Sequence, residues 1–175
     1  MIRYIEDSDL FLSKADALVN PVNCKGVMGK GIALEFKKRF PECVLPYKTA
    51  VASRNLAPGT LLYVRLIVYT DLFFAKKPAV ILFATKDHWR DKSQIEWIDR
   101  GLSSLRNHYR QWQIDSIALP QVGCGLGGLP WTEVKQLIEQ YLSSEPVDVE
   151  VYLRQTDFDE SANAKRRSRT GQVGS

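Results

Sequence analysis

Short apolar runs alternate along this chain with longer segments whose apolar residues recur at helical spacing. The short runs predict strands buried in a sheet, and the longer segments predict amphipathic helices that pack against it. The predicted strands cover residues 3–6, 16–20, 60–70, 79–84, 115–120 and 147–153. The predicted helices cover residues 32–40, 42–53, 94–105 and 134–141, and the third of them follows a capping box formed by Ser93 and Glu96.

Strands that alternate with helices in this way predict an α/β protein with a largely parallel or mixed sheet. Ligands of such sheets bind beyond the carboxyl ends of the strands. Three segments of this sequence follow predicted strands and carry polar residues or glycines: the first glycine loop (residues 20–31), the segment 85–92, and the second glycine loop (residues 121–128). We expect these three segments to meet at one edge of the sheet and to form a binding site.

The first glycine loop has the composition of a phosphate-binding loop. It contains Gly26, Gly29 and Gly31, and it leads directly into a predicted helix. Backbone N–H groups of such a loop can approach a phosphate, and the helix dipole favours the negative charge. Asn20 and Asn23 add neutral donors and acceptors suited to sugar hydroxyls. The spacing fits neither a P-loop nor a dinucleotide fingerprint, and a purely structural glycine turn remains the alternative.

The second glycine loop and the segment between the two loops carry the remaining candidate chemistry. Four glycines at 123, 125, 127 and 128 predict a second phosphate contact, with a tight strand-to-helix connection as the alternative. Lys86 follows the most apolar strand, where it can act as a nucleophile or as an electrostatic partner, whereas a solvated lysine is the simpler interpretation. Asp87 and His88 are alternative acid–base groups. Asp9 is either a turn residue or helix cap, or an acceptor for an adenine amino group.

Composition narrows the class of protein. The 175 residues predict one domain over 1–157, followed by a disordered basic tail or linker over 158–175. Its last eleven residues, 165–175, hold four basic residues and no acid, and so account for the net charge of +4. The remainder is balanced in charge, which argues against a basic DNA-binding face. No apolar run is long enough to span a membrane, and three cysteines with two histidines favour neither a disulfide framework nor a metal site. A cytoplasmic protein without a metal or other cofactor is expected.

Taken together, these motifs resemble a macrodomain. The resemblance covers most of residues 1–153 and depends on the combination of residues 8–11, the segment 20–41, Thr85-Lys86 and Val122-Gly123-Cys124-Gly125-Leu126. It is to the branch that contains terminal ADP-ribose protein glycohydrolase and the bacterial antitoxin DarG. The resemblance implies a three-layer α/β/α fold with a mixed central sheet that binds ADP-ribose. It also implies that Lys86 is catalytic and that Asn23 acts beside it at the distal ribose.

The resemblance further implies which residues bind ADP-ribose. Asp9 and Leu10 would contact adenine, residues 26–32 would contact the diphosphate and distal ribose, and residues 122–127 would close over the phosphates. The full predicted set is Asp9, Leu10, Asn20, Asn23, Gly26, Val27, Met28, Gly29, Gly31, Ile32, Thr85, Val122, Gly123, Cys124, Gly125, Leu126 and Gly127.

One position separates the two kinds of protein within this branch. The protein glycohydrolases carry an aspartate directly after Gly-Cys-Gly-Leu. This chain has Gly127 at that position, and DarG also lacks the acid there. The resemblance therefore implies an enzyme that removes ADP-ribose from thymidine in single-stranded DNA and opposes a DarT-like toxin. The alternatives are an ADP-ribose reader without turnover, and a glycohydrolase or deacylase that acts on ADP-ribosylated protein or O-acetyl-ADP-ribose.

Overall fold

The computed structural model describes residues 1–66 and 78–154, which form a six-stranded sheet with helices on both faces. The strands are β1 (Ile2–Ile5), β2 (Ala17–Asn23), β3 (Leu61–Val64), β4 (Ala79–Lys86), β5 (Ser116–Pro120) and β6 (Asp148–Tyr152). Their order across the sheet is β1-β6-β5-β2-β4-β3. All neighbouring strands are parallel except β3, which pairs with β4 in the antiparallel sense. The prediction of a mixed sheet is confirmed.

The helices divide between two layers, each with its own hydrophobic core. They are α1 (Gly31–Arg39), α2 (Val44–Ala52), α3 (Ile95–His108) and α4 (Trp131–Leu142), and short 3-10 helices cover Leu10–Leu12 and Pro41–Cys43. Strand β4 shows how the sheet separates the cores. Ile81 and Phe83 pack in the core under α3 and α4, whereas Val80 and Leu82 pack in the core under α1 and α2. Burial on both faces explains why β4 reads as a continuous apolar run rather than an alternating one.

The pairing of β2 with β4 fixes the geometry of the functional edge. The two strands run parallel from Ala17 beside Ala79, and a bulge between Val22 and Asn23 then brings Asn23 opposite Lys86. Both strands therefore end together at the carboxyl edge of the sheet. The two residues that the sequence marks as catalytic candidates are consequently neighbours, although more than sixty positions separate them in the chain.

Several predicted boundaries differ from the observed ones. Strand β2 continues to Asn23 and β4 continues to Lys86, because each strand extends the hydrogen-bonded ladder of the other. The capping box at Ser93 is wrong: Gln94 is the N-cap of α3, and no side chain caps the helix. Ser93 instead donates its backbone N–H to the Gly127 carbonyl oxygen at 3.0 Å, so it is held against the second glycine loop.

Some predictions fall on residues that the structure does not describe. These are the second half of the strand predicted over 60–70, most of the loop over 71–78, and the basic tail over 158–175. Within residues 1–66 and 78–154, no helix combines the length and hydrophobicity needed to cross a bilayer.

Candidate active site

A cleft of about 570 Å³ lies at the carboxyl ends of β2, β4, β5 and β6. The first and second glycine loops face each other across it, and Leu126 Cδ1 lies 3.8 Å from where a Cβ atom on Gly31 would stand. The cleft is lined by Ser8, Asp9, Leu10, Phe11, Pro21, Val22, Asn23, Val27, Gly29, Lys30, Gly31, Ile32, Ala33, Glu35, Thr85, Lys86, Trp89, Pro120, Gln121, Gly123, Gly125, Leu126, Gly127, Tyr152, Leu153 and Arg154.

Asn23 shapes the first glycine loop from within. Its side-chain oxygen accepts hydrogen bonds from the backbone N–H groups of Lys25 at 2.9 Å and Val27 at 3.4 Å, and its amide nitrogen donates to the Val27 carbonyl oxygen at 2.7 Å. The buried Tyr47 hydroxyl donates to the Asn23 carbonyl oxygen at 2.6 Å. Gly26 sits at φ +76° inside this turn, a conformation that favours glycine. The asparagine amide therefore holds the loop in the form that faces the cleft.

The second glycine loop is wound too tightly to accept a side chain at its centre. A Cβ atom on Gly127 would come within 2.7 Å of the Gly123 carbonyl carbon and closer still to its oxygen and to Ser93 Oγ. The loop is closed by hydrogen bonds from the N–H of Gly128 to the carbonyl oxygens of Cys124 and Gly125, at 3.0 and 3.1 Å. Position 127 is therefore glycine for lack of space, and a carboxylate cannot be placed there without moving the backbone.

Lys86 ends β4 and projects its amine into the cleft between the loops. Its Nζ donates to the Leu126 carbonyl oxygen at 2.6 Å, so the amine is tied to the second glycine loop. Burial lowers the pKa of Lys86, the positive charge of Lys92 lowers it further, and Asp91 partly opposes the change. A lysine with a depressed pKa holds a larger fraction of neutral, nucleophilic amine at a given pH.

The opposite end of the cleft is built by the short helix Leu10–Leu12. Asp9 caps this helix, since its side chain accepts from the Phe11 N–H at 3.0 Å, and it also pairs with Arg39 at 3.2 Å. The predicted role of Asp9 as a helix cap is thus confirmed, and the residue lines the cleft as well. Leu10 is buried, while Ile32 is half-buried, so the two give this end of the cleft an apolar wall.

Not every residue of the predicted set lies on the cleft wall. Asn23, Thr85, Lys86 and most of the loop residues do, but Asn20, Gly26, Met28, Val122 and Cys124 do not. Asn20 is completely buried in β2, and within the described residues neither atom of its amide has a hydrogen-bond partner. The reason is position along the strand, because Asn20 lies three residues before the end of β2, inside the sheet, whereas Asn23 is the last residue of β2 and borders the cleft.

Sequence reasoning missed the contribution of the strand next to the edge of the sheet. Tyr152, Leu153 and Arg154 line the cleft after β6, and Arg154 donates its N–H to the Gln121 side-chain oxygen at 2.8 Å. The Arg154 guanidinium lies against Gly125 of the second glycine loop. The available signal was the alternating run over 147–153, because its predicted strand also had to end at some edge of the sheet.

The sheet, its two helical layers and the cleft between the glycine loops define an α/β/α protein with a cleft at the carboxyl edge of its sheet, the place where such folds bind ligands. The Macro domain family matches residues 19–138 of the sequence. The chain therefore belongs to the macrodomain family, and the resemblance expected from the motifs is confirmed.

Individual relatives make the comparison more specific. The chain is 40% identical over 153 residues to a protein named DNA ADP-ribosyl glycohydrolase from Thermus aquaticus, which covers 87% of this chain and 41% of that protein. Among solved structures, Thermosipho africanus DarTG in complex with ADP-ribose superposes with a TM-score of 0.81 at 34% identity, covering 89% of this chain and 42% of the other. The macrodomain of Mycobacterium tuberculosis DarG gives a TM-score of 0.77 at 40% identity, covering 87% and 97%.

The curated relatives are longer than the matched region. The chain spans about two fifths of the length of the DNA ADP-ribosyl glycohydrolases that it matches. The comparison therefore concerns their macrodomain portion.

Proposed function

We propose that this chain is a glycohydrolase domain that removes ADP-ribose from thymidine in single-stranded DNA and so counteracts a DarT-type toxin. The observation that carries the proposal is the Lys86 amine, which faces the cleft beside Asn23 with a lowered pKa. The names of the relatives support the substrate, and a Thermosipho africanus protein named as a fusion of DNA ADP-ribosyl transferase and DNA ADP-ribosyl glycohydrolase supports the toxin partner. A DNA substrate also favours a cytoplasmic location.

We propose one orientation for ADP-ribose in the cleft. The adenine would lie against Leu10 and Ile32 with its amino group near Asp9, at the apolar end of the cleft. The diphosphate would lie between the two glycine loops, where backbone N–H groups are accessible at glycine positions. The distal ribose would then reach Asn23 and Lys86. Of the five predicted residues outside the cleft wall, Gly26, Met28, Val122 and Cys124 would contribute through the shape of the loops, and Asn20 would make no side-chain contact with the ligand.

The proposed reaction begins with Lys86 as the neutral amine. The nitrogen lone pair attacks the anomeric carbon of the distal ribose, the bond from that carbon to the thymine nitrogen breaks, and the base leaves with the bonding electrons. The proton released from the new ammonium group goes to the departing base, which leaves neutral. Water then displaces the lysine from the same carbon and frees ADP-ribose. The Leu126 carbonyl orients the amine toward the ribose before attack.

The glycine at position 127 supports DNA over protein as the substrate. Release from a protein carboxylate by a lysine–aspartate pair needs an acid after Leu126, and the second glycine loop has no room for one. Within the described residues, no carboxylate hydrogen bonds to Lys86 in its place. The lysine would therefore act alone, on a substrate whose base is itself the leaving group.

The test compares wild type with Lys86→Ala and Lys86→Arg on an ADP-ribosylated oligonucleotide, with release of ADP-ribose as the readout. Both variants are expected to lose turnover while calorimetry shows an affinity for free ADP-ribose within about threefold of wild type, since the glycine loops remain. Arginine keeps the positive charge but cannot supply a neutral amine, so it separates nucleophilic from electrostatic catalysis. Lys135→Ala, on the exposed side of α4, is the matched control and should behave as wild type.

Other outcomes would reject the proposal in defined ways. Tight binding of ADP-ribose without release from any substrate by the wild type would make the protein a reader. Faster release from ADP-ribosylated protein or from O-acetyl-ADP-ribose than from DNA would assign the chain to the alternative hydrolases. Full turnover by Lys86→Ala would remove the lysine from the mechanism.

A further inference from the structure

Trp89 is an exposed aromatic side chain at the catalytic end of the cleft. Its surface is 44% accessible, and in the described part of the chain no other aromatic residue is among the exposed large hydrophobic side chains. It lines the cleft three positions after Lys86, so their Cα atoms are at most about 11 Å apart. The core does not need this indole, because it packs in neither hydrophobic core. The exposed part of this indole is available to a substrate that extends beyond the lysine end of the cleft.

Two planar side chains lie against the indole. The His88 ring stacks on it with centroids 5.2 Å apart and an interplanar angle of 29°, and the Arg90 guanidinium carbon lies 4.4 Å from the ring centroid. Aromatic rings and arginine planes are the surfaces on which unpaired nucleic-acid bases stack. Residues 88–90 thus form a stack of three planar side chains, which we call the Trp89 platform.

The charges around the Trp89 platform suit a phosphate backbone. Arg90 and Lys92 are exposed, and Lys92 Nζ lies beside the second glycine loop, 2.9 Å from where a Cβ atom on Gly128 would stand. Of the two acids in this segment, Asp87 is neutralised by Lys25 at 3.1 Å, and Asp91 is exposed. The surroundings are therefore mildly basic, although the protein as a whole offers no long basic track.

We infer that the Trp89 platform binds the nucleotide adjacent to the modified thymidine, and this inference rests on the proposed DNA substrate. With the diphosphate between the glycine loops and the distal ribose at Lys86, the base and its strand must leave the cleft at the lysine end. The platform lies there with an exposed stacking surface and two cations. The chain would therefore bind two parts of the substrate: the ADP-ribose in the cleft, and a flanking single-stranded base on Trp89.

The inference predicts that Trp89 matters only when flanking nucleotides are present. Base–aromatic stacking contributes about 1–3 kcal/mol per base, which corresponds to about 5- to 150-fold. The experiment measures kcat/KM on an ADP-ribosylated single-stranded oligonucleotide and on ADP-ribosyl-thymidine, which has no neighbouring nucleotide. Wild type should prefer the oligonucleotide by at least about fivefold, Trp89→Ala should abolish that preference, and Trp89→Phe should retain part of it. Leu45→Ala, which removes an exposed apolar side chain on α2, should keep the full preference.

A binding measurement separates this inference from the proposed reaction. In a Lys86→Ala background, calorimetry should show tighter binding of the modified oligonucleotide than of free ADP-ribose, and Trp89→Ala should remove the difference. If wild type released no ADP-ribose from the oligonucleotide and this difference in binding were present, the proposed reaction would be refuted and the Trp89 platform would be supported. If Trp89→Ala weakened free ADP-ribose and the oligonucleotide equally, or weakened neither, the platform would be refuted.

Discussion

The tight second glycine loop leads to a prediction about position 127. Gly127→Ala adds a single methyl group, and Gly127→Asp adds the carboxylate that a lysine–aspartate pair would require. In either variant the new Cβ atom would overlap backbone atoms of Gly123 rather than a mobile side-chain end. The loop must open to accept it, and opening weakens the hydrogen bond from Ser93 N–H to the Gly127 carbonyl oxygen. Both variants should therefore lose stability and phosphate binding together.

The expected loss of stability depends on the kind of atom that the new Cβ displaces. Overpacking costs about 1–3 kcal/mol, and a clash with backbone belongs at the upper end of that range. For a chain of this size, about 3 kcal/mol lowers Tm by about 6–12 °C. Two glycines of the same loops serve as matched controls. At Gly29 the added Cβ would meet nothing nearer than Val27 Cγ1 at 3.5 Å, and at Gly125 it would meet only the flexible Arg154 guanidinium. Alanine at either control position should change Tm by no more than about 2 °C.

Thermal unfolding and calorimetry with ADP-ribose measure the two effects. We expect Gly127→Ala to bind ADP-ribose at least about tenfold more weakly than wild type, equivalent to about 1.4 kcal/mol. A Tm of Gly127→Ala equal to those of Gly29→Ala and Gly125→Ala would refute the predicted clash at position 127. It is also refuted if Gly127→Asp remains folded and acquires release from ADP-ribosylated carboxylates, since the acid would then fit.

The further predictions concern three polar residues, Lys86, Tyr47 and Asn20. Turnover should rise with pH, and the midpoint of that rise should lie below the ordinary lysine pKa of 10.5, because burial lowers the pKa of Lys86. A pH–rate profile tests this. The free energy of unfolding should rise with pH between the pKa of Lys86 in the folded chain and that in the unfolded chain, since there the folded chain has released a proton that the unfolded chain still binds. Lys86→Met should raise Tm at pH 7, because it removes the charge that is unfavourable in the fold. Tyr47→Phe should cost about 1–3 kcal/mol in urea unfolding and weaken ADP-ribose binding, because Asn23 loses the hydroxyl at 2.6 Å. Asn20→Leu should stabilise the fold by about 1–2 kcal/mol with unchanged ADP-ribose affinity, because it removes a buried amide whose two polar atoms have no partner among the described residues; a lower Tm or lost binding would contradict this.

Local patterns were sufficient for most of the architecture. The apolar run of β4 and the helical spacing of α3 predicted their own structures, because burial on two faces or on one stripe leaves a direct trace in the sequence. The glycine loops were likewise visible, since tight turns and positive φ restrict the residue types allowed. The capping box at Ser93 shows the limit of this reasoning. Its local signal was overridden by a backbone hydrogen bond to Gly127, more than thirty positions away.

The sequence by itself determined the alternation of strands and helices, the two glycine loops and the placement of Lys86 after the most apolar strand. Only the tertiary structure decided that β6 inserts between β1 and β5, which brings Arg154 to the cleft, and that Asn20 is buried within β2 and off the cleft wall. It also decided that position 127 has no room for a carboxylate. The physical reason is common to all three: strand order, the facing of a side chain and free space at a backbone atom depend on contacts between distant segments, which no local pattern records.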